Sequence, residues 1–297
     1  MSEKKNIATR DGFGHEIVAL GKENPDLLVV DIDIGKSCKT GDFRKELPGQ
    51  YINVGIAEQN GAGLAAGLAT CGKVPFVVTY AVFGSLRMCE MIRQEVCYPN
   101  LNVKFACSHG GVTPANDGAS HQSIEDMGVL RTIPNMTVIM PADYNAARKL
   151  VRQAAETYGP MYLRFTRDAV PQIYDEDVEF TIGKAHTIQD GKDVAIIANG
   201  DTVRLPSRPP GSWQARASAP AFWICTPSSL WMWRPSPPPS TTLARSSPWR
   251  ITTFSTVSAP PCARWLPKWA RASSSAWVFR ISSVSPLPMS VCWPSTA

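Results

Sequence analysis

The sequence predicts an α/β protein: a doubly wound, mostly parallel sheet followed by an aberrant tail. Three observations predict it. Short apolar runs rich in Val, Ile and Leu, the pattern of strands buried on both faces, recur through the first 201 residues. Stretches with helical spacing alternate with them. Polar, glycine-containing segments fall just behind several of the runs, where open α/β sheets hold their ligands.

The elements follow in order. Leu27-Leu28-Val29-Val30 is an apolar run ending in Asp31, and Tyr51-Ile52-Asn53-Val54 is a second strand. The Gly/Ala-rich segment Gly61 to Ala69 suits a closely packed helix. Pro75 to Thr79 is a third strand, and a long helical pattern follows near Leu86 to Val96. Asn102 to Ala106 and Met136 to Met140 are further strands, Tyr144 to Thr157 is a helix, and Met161 to Phe165 closes the set.

The 297 residues are 44% hydrophobic and 19% charged, enough for a sizeable core. No apolar run of about 18 residues predicts a membrane span. Met1-Ser2-Glu3-Lys4-Lys5-Asn6 lacks the apolar stretch of a signal peptide. The eight cysteines include no C-x-x-C pair, so neither a zinc site nor a disulfide framework is indicated. A cytoplasmic location is expected.

The average composition hides a break. All 25 acidic residues lie at or before Asp201, whereas Thr202 to Ala297 holds nine Arg and Lys268, a charge of +10. The net +5 is therefore the sum of two unlike parts and predicts no nucleic-acid partner. That tail holds all nine Trp and 16 of the 25 Pro, but one of the 21 Gly. A disordered basic arm is normally poor in Trp, and a folded domain without a carboxylate departs from ordinary composition. Translation out of frame accounts for both features. Codons exist for Phe222–Arg234 such that a one-base shift spells VLDMHTIKPLDVE, and the same shift over Ile251–Lys268 allows DHNFFNGLGSAVCEVAAE. The expected organisation is a domain over residues 6–170, a linker and the start of a further domain over 171–201, and an out-of-frame, unstructured tail over 202–297.

The loops behind Val54, Thr79, Ala106 and Phe165 carry the unusual residues. Glu58 stands where a helix should begin; an acid there could also simply offset the helix macrodipole. Tyr80 and Phe83, three apart and followed by Arg87, also fit core packing. Behind Ala106 come His109-Gly110-Gly111, Asp117-Gly118 and His121, which equally suit a polar surface loop, and Arg167 alone suits a surface charge. Gly61-Ala62-Gly63 is not a dinucleotide fingerprint, because Ala66 takes the third glycine's place; the phosphate-loop, H-E-x-x-H and G-x-S-x-G motifs are absent.

The stretch Tyr51 to Ala69, YINVGIAEQNGAGLAAGLA, resembles the pyrimidine-binding domain of the transketolase family. So do Phe76 to Arg87, the loop His109 to Glu125, and Ile133-Pro134-Asn135 through Pro141-Ala142-Asp143. The likeness spans roughly residues 6 to 200 and is strongest to the C-terminal section of split transketolases. The two shifted strings resemble that family's third domain.

The resemblance implies thiamine diphosphate as cofactor and ketol transfer between sugar phosphates. It makes Glu58 the acid on the aminopyrimidine nitrogen, needed so that the ring can move the proton that activates the cofactor. Phe83 becomes the stacking aromatic, Tyr80 its neighbour, and Asp33 an acid near the cofactor, with Asp31 as the other candidate. Asp117 and His121 become contacts to sugar hydroxyls, His121 also sharing in catalysis. Arg10, Ser37, His109 and Arg167 become the substrate phosphate group. No metal ligand is expected on this chain. The family's G-D-G…N-N motif for magnesium and diphosphate is missing, which implies a separate N-terminal subunit and a heterotetramer of two pairs. The rival readings are a 1-deoxy-D-xylulose-5-phosphate synthase, against which His109 argues, a 2-oxo-acid dehydrogenase beta subunit, and an inactive product of a disrupted frame.

Overall fold

A computed structural model describes residues 6–189, 195–204, 221–224, 250–252 and 278–280. The chain runs β1 (Ile7–Ala8), α1 (Thr9–Glu23), β2 (Leu27–Asp31), α2 (Gly35–Cys38), α3 (Gly41–Glu46), β3 (Tyr51–Asn53), α4 (Glu58–Thr70) and β4 (Val74–Tyr80). It continues with a short α turn, α5 (Cys89–Met91), then β5 (Lys104–Ser108), α6 (Asp126–Leu130), β6 (Thr137–Ile139), α7 (Tyr144–Glu156), β7 (Met161–Arg164) and β8 (Ala169–Val170).

Six strands form one all-parallel sheet in the order β3-β2-β4-β5-β7-β6, the doubly wound fold the sequence predicts. The two-residue periodicity of a strand explains why its sequence is apolar throughout. Phe76 and Val78 of β4 face one cluster with Phe13 and Ile17 of α1 and Leu150 of α7, while Val77 between them faces the other, with Ala62 of α4, Ile92 and Val96. Burying each large side chain contributes about 1.5–3 kcal/mol, and Phe13, Phe76 and Phe165 lie together in the first cluster.

Every expected strand is present, with ends shifted by a residue or two. The expected helix near Leu86 to Val96 is not a regular α-helix. It consists of wide π-type turns at Phe83–Arg87 and Ile92–Cys97 on either side of α5, an irregularity that often lies beside functional residues. The sequence reading assigned no element to Thr9–Glu23, which forms α1. Its apolar residues are interrupted by glycines that allow close approach: a Cβ on Gly12 would lie 2.7 Å from the Tyr144 carbonyl oxygen, and one on Gly14 2.6 Å from that of Lys39.

At the opposite end of the sheet, where its strands begin, Lys104 opens the interior strand β5 and is wholly buried. Its ammonium donates to Asn102 Oδ1 at 2.7 Å and to the Thr157 and Gly159 carbonyls at 2.7 and 2.6 Å, and burial pulls its pKa down to about 7.

A second sheet has the order β13-β12-β10-β11-β9, from β9 (His186–Gln189), β10 (Ala195–Ala198), β11 (Ala221–Ile224), β12 (Arg250–Thr252) and β13 (Val278–Arg280). Of residues 202–297, read above as out of frame and unstructured, the structure describes Thr202–Arg204 and three strands of three or four residues; the remainder lies outside the described residues. Among the described residues no helix is long and apolar enough to cross a membrane.

Candidate active site

Strands β2, β3, β4 and β5 end at one edge with Asp31, Asn53, Tyr80 and Ser108 as their last residues. Behind β3 the chain turns through Gly55, at φ +72°, a conformation glycine adopts without strain, and α4 opens on Glu58. Glu58 is 4% exposed, and Arg87 Nη1 donates to its Oε1 at 2.6 Å. The same guanidinium lies 4.5 Å over the centroid of Phe83. Phe83 stacks with Tyr80 at 6.2 Å, Tyr80 meets the His109 ring at 4.1 Å, and His121 stands edge-on to Phe83 at 5.3 Å. A buried acid, two flat aromatics and two histidines thus converge over the strand ends.

The charges around them are placed by backbone anchors. Arg10, in the first turn of α1, donates to the Ser37 carbonyl at 3.0 Å and reaches His109 Nε2 at 3.4 Å. An arginine can only donate, so Nε2 accepts and the proton sits on Nδ1, which donates to Ser108 Oγ at 2.7 Å. Arg167 donates to the Pro114 carbonyl and reaches Asp117 Oδ2 at 3.4 Å, tying the loop back to the end of β7. Asp31 and Asp33 are told apart. Asp31 is buried and accepts from Tyr51 Oη and from Ile34 N, with burial pushing its pKa up. Asp33 is exposed, at φ +61°, and accepts from Asn53 Nδ2 at 2.9 Å.

The family model for the transketolase pyrimidine-binding domain matches residues 5–172. The chain belongs to this family. A protein of Methanocaldococcus jannaschii described as a transketolase C-terminal section is 45% identical over 196 residues, which are 65% of this chain and 62% of that protein. A solved split gene transketolase, described as an inactive β4 tetramer, superposes with a TM-score of 0.68 at 43% identity, over 75% of this chain and 72% of that one. A 1-deoxy-D-xylulose-5-phosphate synthase of Geobacter sulfurreducens is 36% identical over 197 residues, covering 66% of this chain but 30% of that enzyme. The matched part thus spans about three fifths of the archaeal relative's length.

All residues singled out in the sequence lie inside the part that matches the transketolase pyrimidine-binding domain. The fold brings Glu58, Phe83, Tyr80, His109 and His121 into one chain of contacts, with Arg10 and the backbone of Ser37 beside His109. Asp117 and Arg167 form a second pair whose charges act on His109; Asp33 pairs only with Asn53 among the contacts described. The role of Arg87 was missed. Four residues past Phe83, it lies one turn along the same helical face, and that spacing was the available signal. Among the described residues no cluster of His, Cys, Asp or Glu could hold a metal ion.

Burial, then the positive charges of Arg10 and Arg167, pulls the His109 pKa down to about 4. His109 is therefore neutral at pH 7. An unfolded histidine takes up its proton near pH 6.5, so between about 6.5 and 4 the unfolded chain binds a proton that the folded one does not. Stability from this residue is lost as pH falls through that window. NMR titration of the ring should find no midpoint between pH 5 and 8; a midpoint near 6.5 would place the ring in solvent.

Proposed function

We propose that this chain is the C-terminal subunit of a split transketolase, working in the cytoplasm with a separate N-terminal subunit as a heterotetramer of two pairs. The observation that carries the reading is the buried Glu58 carboxyl at the start of α4, within one guanidinium of the Phe83 ring and over the ends of parallel strands. These residues fit thiamine diphosphate: an acid for the ring nitrogen of an aminopyrimidine and a flat apolar surface for its face. When bound, the cofactor supplies a carbon nucleophile and stores the electron pair released on carbon–carbon cleavage.

Glu58 holds and shares the proton at the pyrimidine nitrogen, Phe83 and Tyr80 orient the ring, and Asp33 lies at the rim. Asp117 and His121 hold sugar hydroxyls, and His121 moves a proton at the substrate oxygen. Arg10, Ser37, His109 and Arg167 hold the substrate phosphate, where guanidinium groups engage oxygens in pairs. Neutral His109, its Nε2 lone pair turned to Arg10, sits beside the phosphate-binding arginine without repelling it. Magnesium and the cofactor's diphosphate fall to the partner subunit. That the solved relative is named an inactive tetramer of β chains supports the need for a second subunit.

An alternative carries its own support. Likeness to the synthase of Geobacter sulfurreducens supports pyruvate as donor with a triose phosphate acceptor, whereas His109, which matches a histidine of the transketolase pattern that the synthase pattern lacks, favours a phosphorylated ketose donor. A disrupted frame is also supported, since the likeness to the archaeal relative runs for 196 residues and the acidic residues stop at 201. Mixing the purified chain with an N-terminal section and thiamine diphosphate, and offering a ketose phosphate or pyruvate, tests these readings. Two-carbon transfer from the ketose phosphate to an aldose is expected only from the mixture. Turnover of pyruvate, or full activity of this chain alone, would overturn the proposal.

A further inference from the structure

The segment Gly111–Ser123 leaves the sheet and returns, carrying Asp117 and His121. Its base is closed by a reciprocal backbone pair, Gly111 N to Ser123 O at 2.8 Å and Ser123 N to Gly111 O at 2.9 Å. Beneath that base lies Arg164, the last residue of β7. Its Nη2 donates to the same Ser123 carbonyl at 3.0 Å, its Nε to Asp126 Oδ2 at 2.7 Å, and its Nη1 contacts Met140 Sδ at 3.3 Å. Asp126 Oδ2 also accepts from Tyr162 Oη at 2.8 Å. Arg164, Asp126 and Tyr162 are all buried, and their ion pair stands apart from the residues assigned to cofactor and substrate. The guanidinium lies so close under Gly110, the neighbour of His109, that a Cβ there would come within 2.4 Å of Arg164 Nε.

Within the excursion the other backbone bonds are local turns, such as Ala115 N to Val112 O and Asp117 N to Pro114 O. Thr113 Oγ1 donates to the Gly110 carbonyl at 2.7 Å and accepts from Arg167 N at 3.4 Å, and His121 meets the Tyr80 and Phe83 rings; the charged holds on the loop are two arginines, at and just behind the end of β7. Arg167 grips Pro114 and Asp117 from the solvent side, where its charge is also assigned to the substrate phosphate. Arg164 grips the base from below, where it is buried.

We infer that Arg164, fixed by Asp126 and Tyr162, is a positioning residue that sets the Gly111–Ser123 loop so that His121 and Asp117 face the sugar. The inference rests on the transketolase reading for its last clause. Arginine suits the task because a planar fork reaches carboxylate, carbonyl and thioether in fixed directions; a lysine keeps the charge opposite Asp126 but not the fork.

The test compares wild type, Arg164→Lys and Gly110→Ala full-length chains, each mixed with an N-terminal section. Gly110→Ala pushes a methyl at the guanidinium while leaving both buried charges in place, so it covers the case in which Arg164→Lys does not fold. Both variants should show at least tenfold faster hydrogen exchange over Gly111–Ser123, with α4 and β4 unchanged. KM for a ketose phosphate should rise and kcat fall, together lowering kcat/KM about tenfold or more, while thiamine diphosphate affinity stays within about twofold, since a displaced loop costs orientation of His121 and Asp117. Exchange unchanged over the loop, or cofactor affinity falling in step with KM, would overturn the inference. A wild-type mixture without turnover would sink the transketolase reading, while hydrogen exchange would still decide whether Arg164 holds the loop.

Discussion

Glu58→Gln is expected to fold and to lose about 10²–10⁴ of turnover, the range removed with a general acid–base group. Glutamine has nearly the same volume and its carbonyl oxygen can still accept from Arg87, so packing in the first turn of α4 survives. What disappears is a carboxyl able to hold or share a proton. The stability cost is small, because the macrodipole contribution of one acid is about 0.3–1 kcal/mol. The ion pair adds little more, since the Arg87 side chain is 50% exposed and screened by water. Circular dichroism beside a ketol-transfer assay of the reconstituted pair reads both quantities. Turnover within about threefold of wild type would remove Glu58 from the chemistry.

Asp143→Ala should have the largest effect on stability. Asp143 is fully buried, and Oδ1 caps α7 by accepting from Ala146 N at 2.8 Å. Oδ2 accepts from Ile173 N at 2.7 Å and Tyr174 N at 2.8 Å, so one carboxylate joins the helix to the segment crossing it. That segment is held further by Asn145 Nδ2, which donates to the Tyr174 carbonyl, and by Gln153 Oε1, which accepts from Ile182 N. Alanine deletes a cap worth about 1 kcal/mol and leaves two amides without their charged acceptor. A loss of about 3–5 kcal/mol follows. Denaturant unfolding of the full-length variant checks it, and a loss below about 1 kcal/mol would mean that water replaces the carboxylate.

The parallel sheet was readable because strands such as β2 and β4 meet a core on both faces and so carry unbroken apolar runs, Leu27–Val30 and Val74–Val78. Helix α1 was not, since Gly12, Gly14 and Gly21 break its apolar spacing, and their value appears only when Tyr144, Lys39 and Phe43 pack against them. The site was readable because its chemistry collects on loops behind strands. Glu58, Tyr80, Phe83, His109 and His121 could be named as residues before their contacts were known. Asp31 and Asp33 could not be separated, because burial divides them and their spacing does not. The hold of Arg164 on Asp126 and Ser123 was invisible, since it joins residues 38 and 41 positions apart through tertiary packing alone.

The central claim is that the Glu58 carboxyl meets the cofactor's aminopyrimidine ring. A crystal structure of this chain with an N-terminal section and thiamine diphosphate tests it most directly. The account predicts a ring nitrogen within about 3 Å of a Glu58 oxygen and the ring face against Phe83. A heterocycle seated elsewhere, with Glu58 out of its reach, would contradict it.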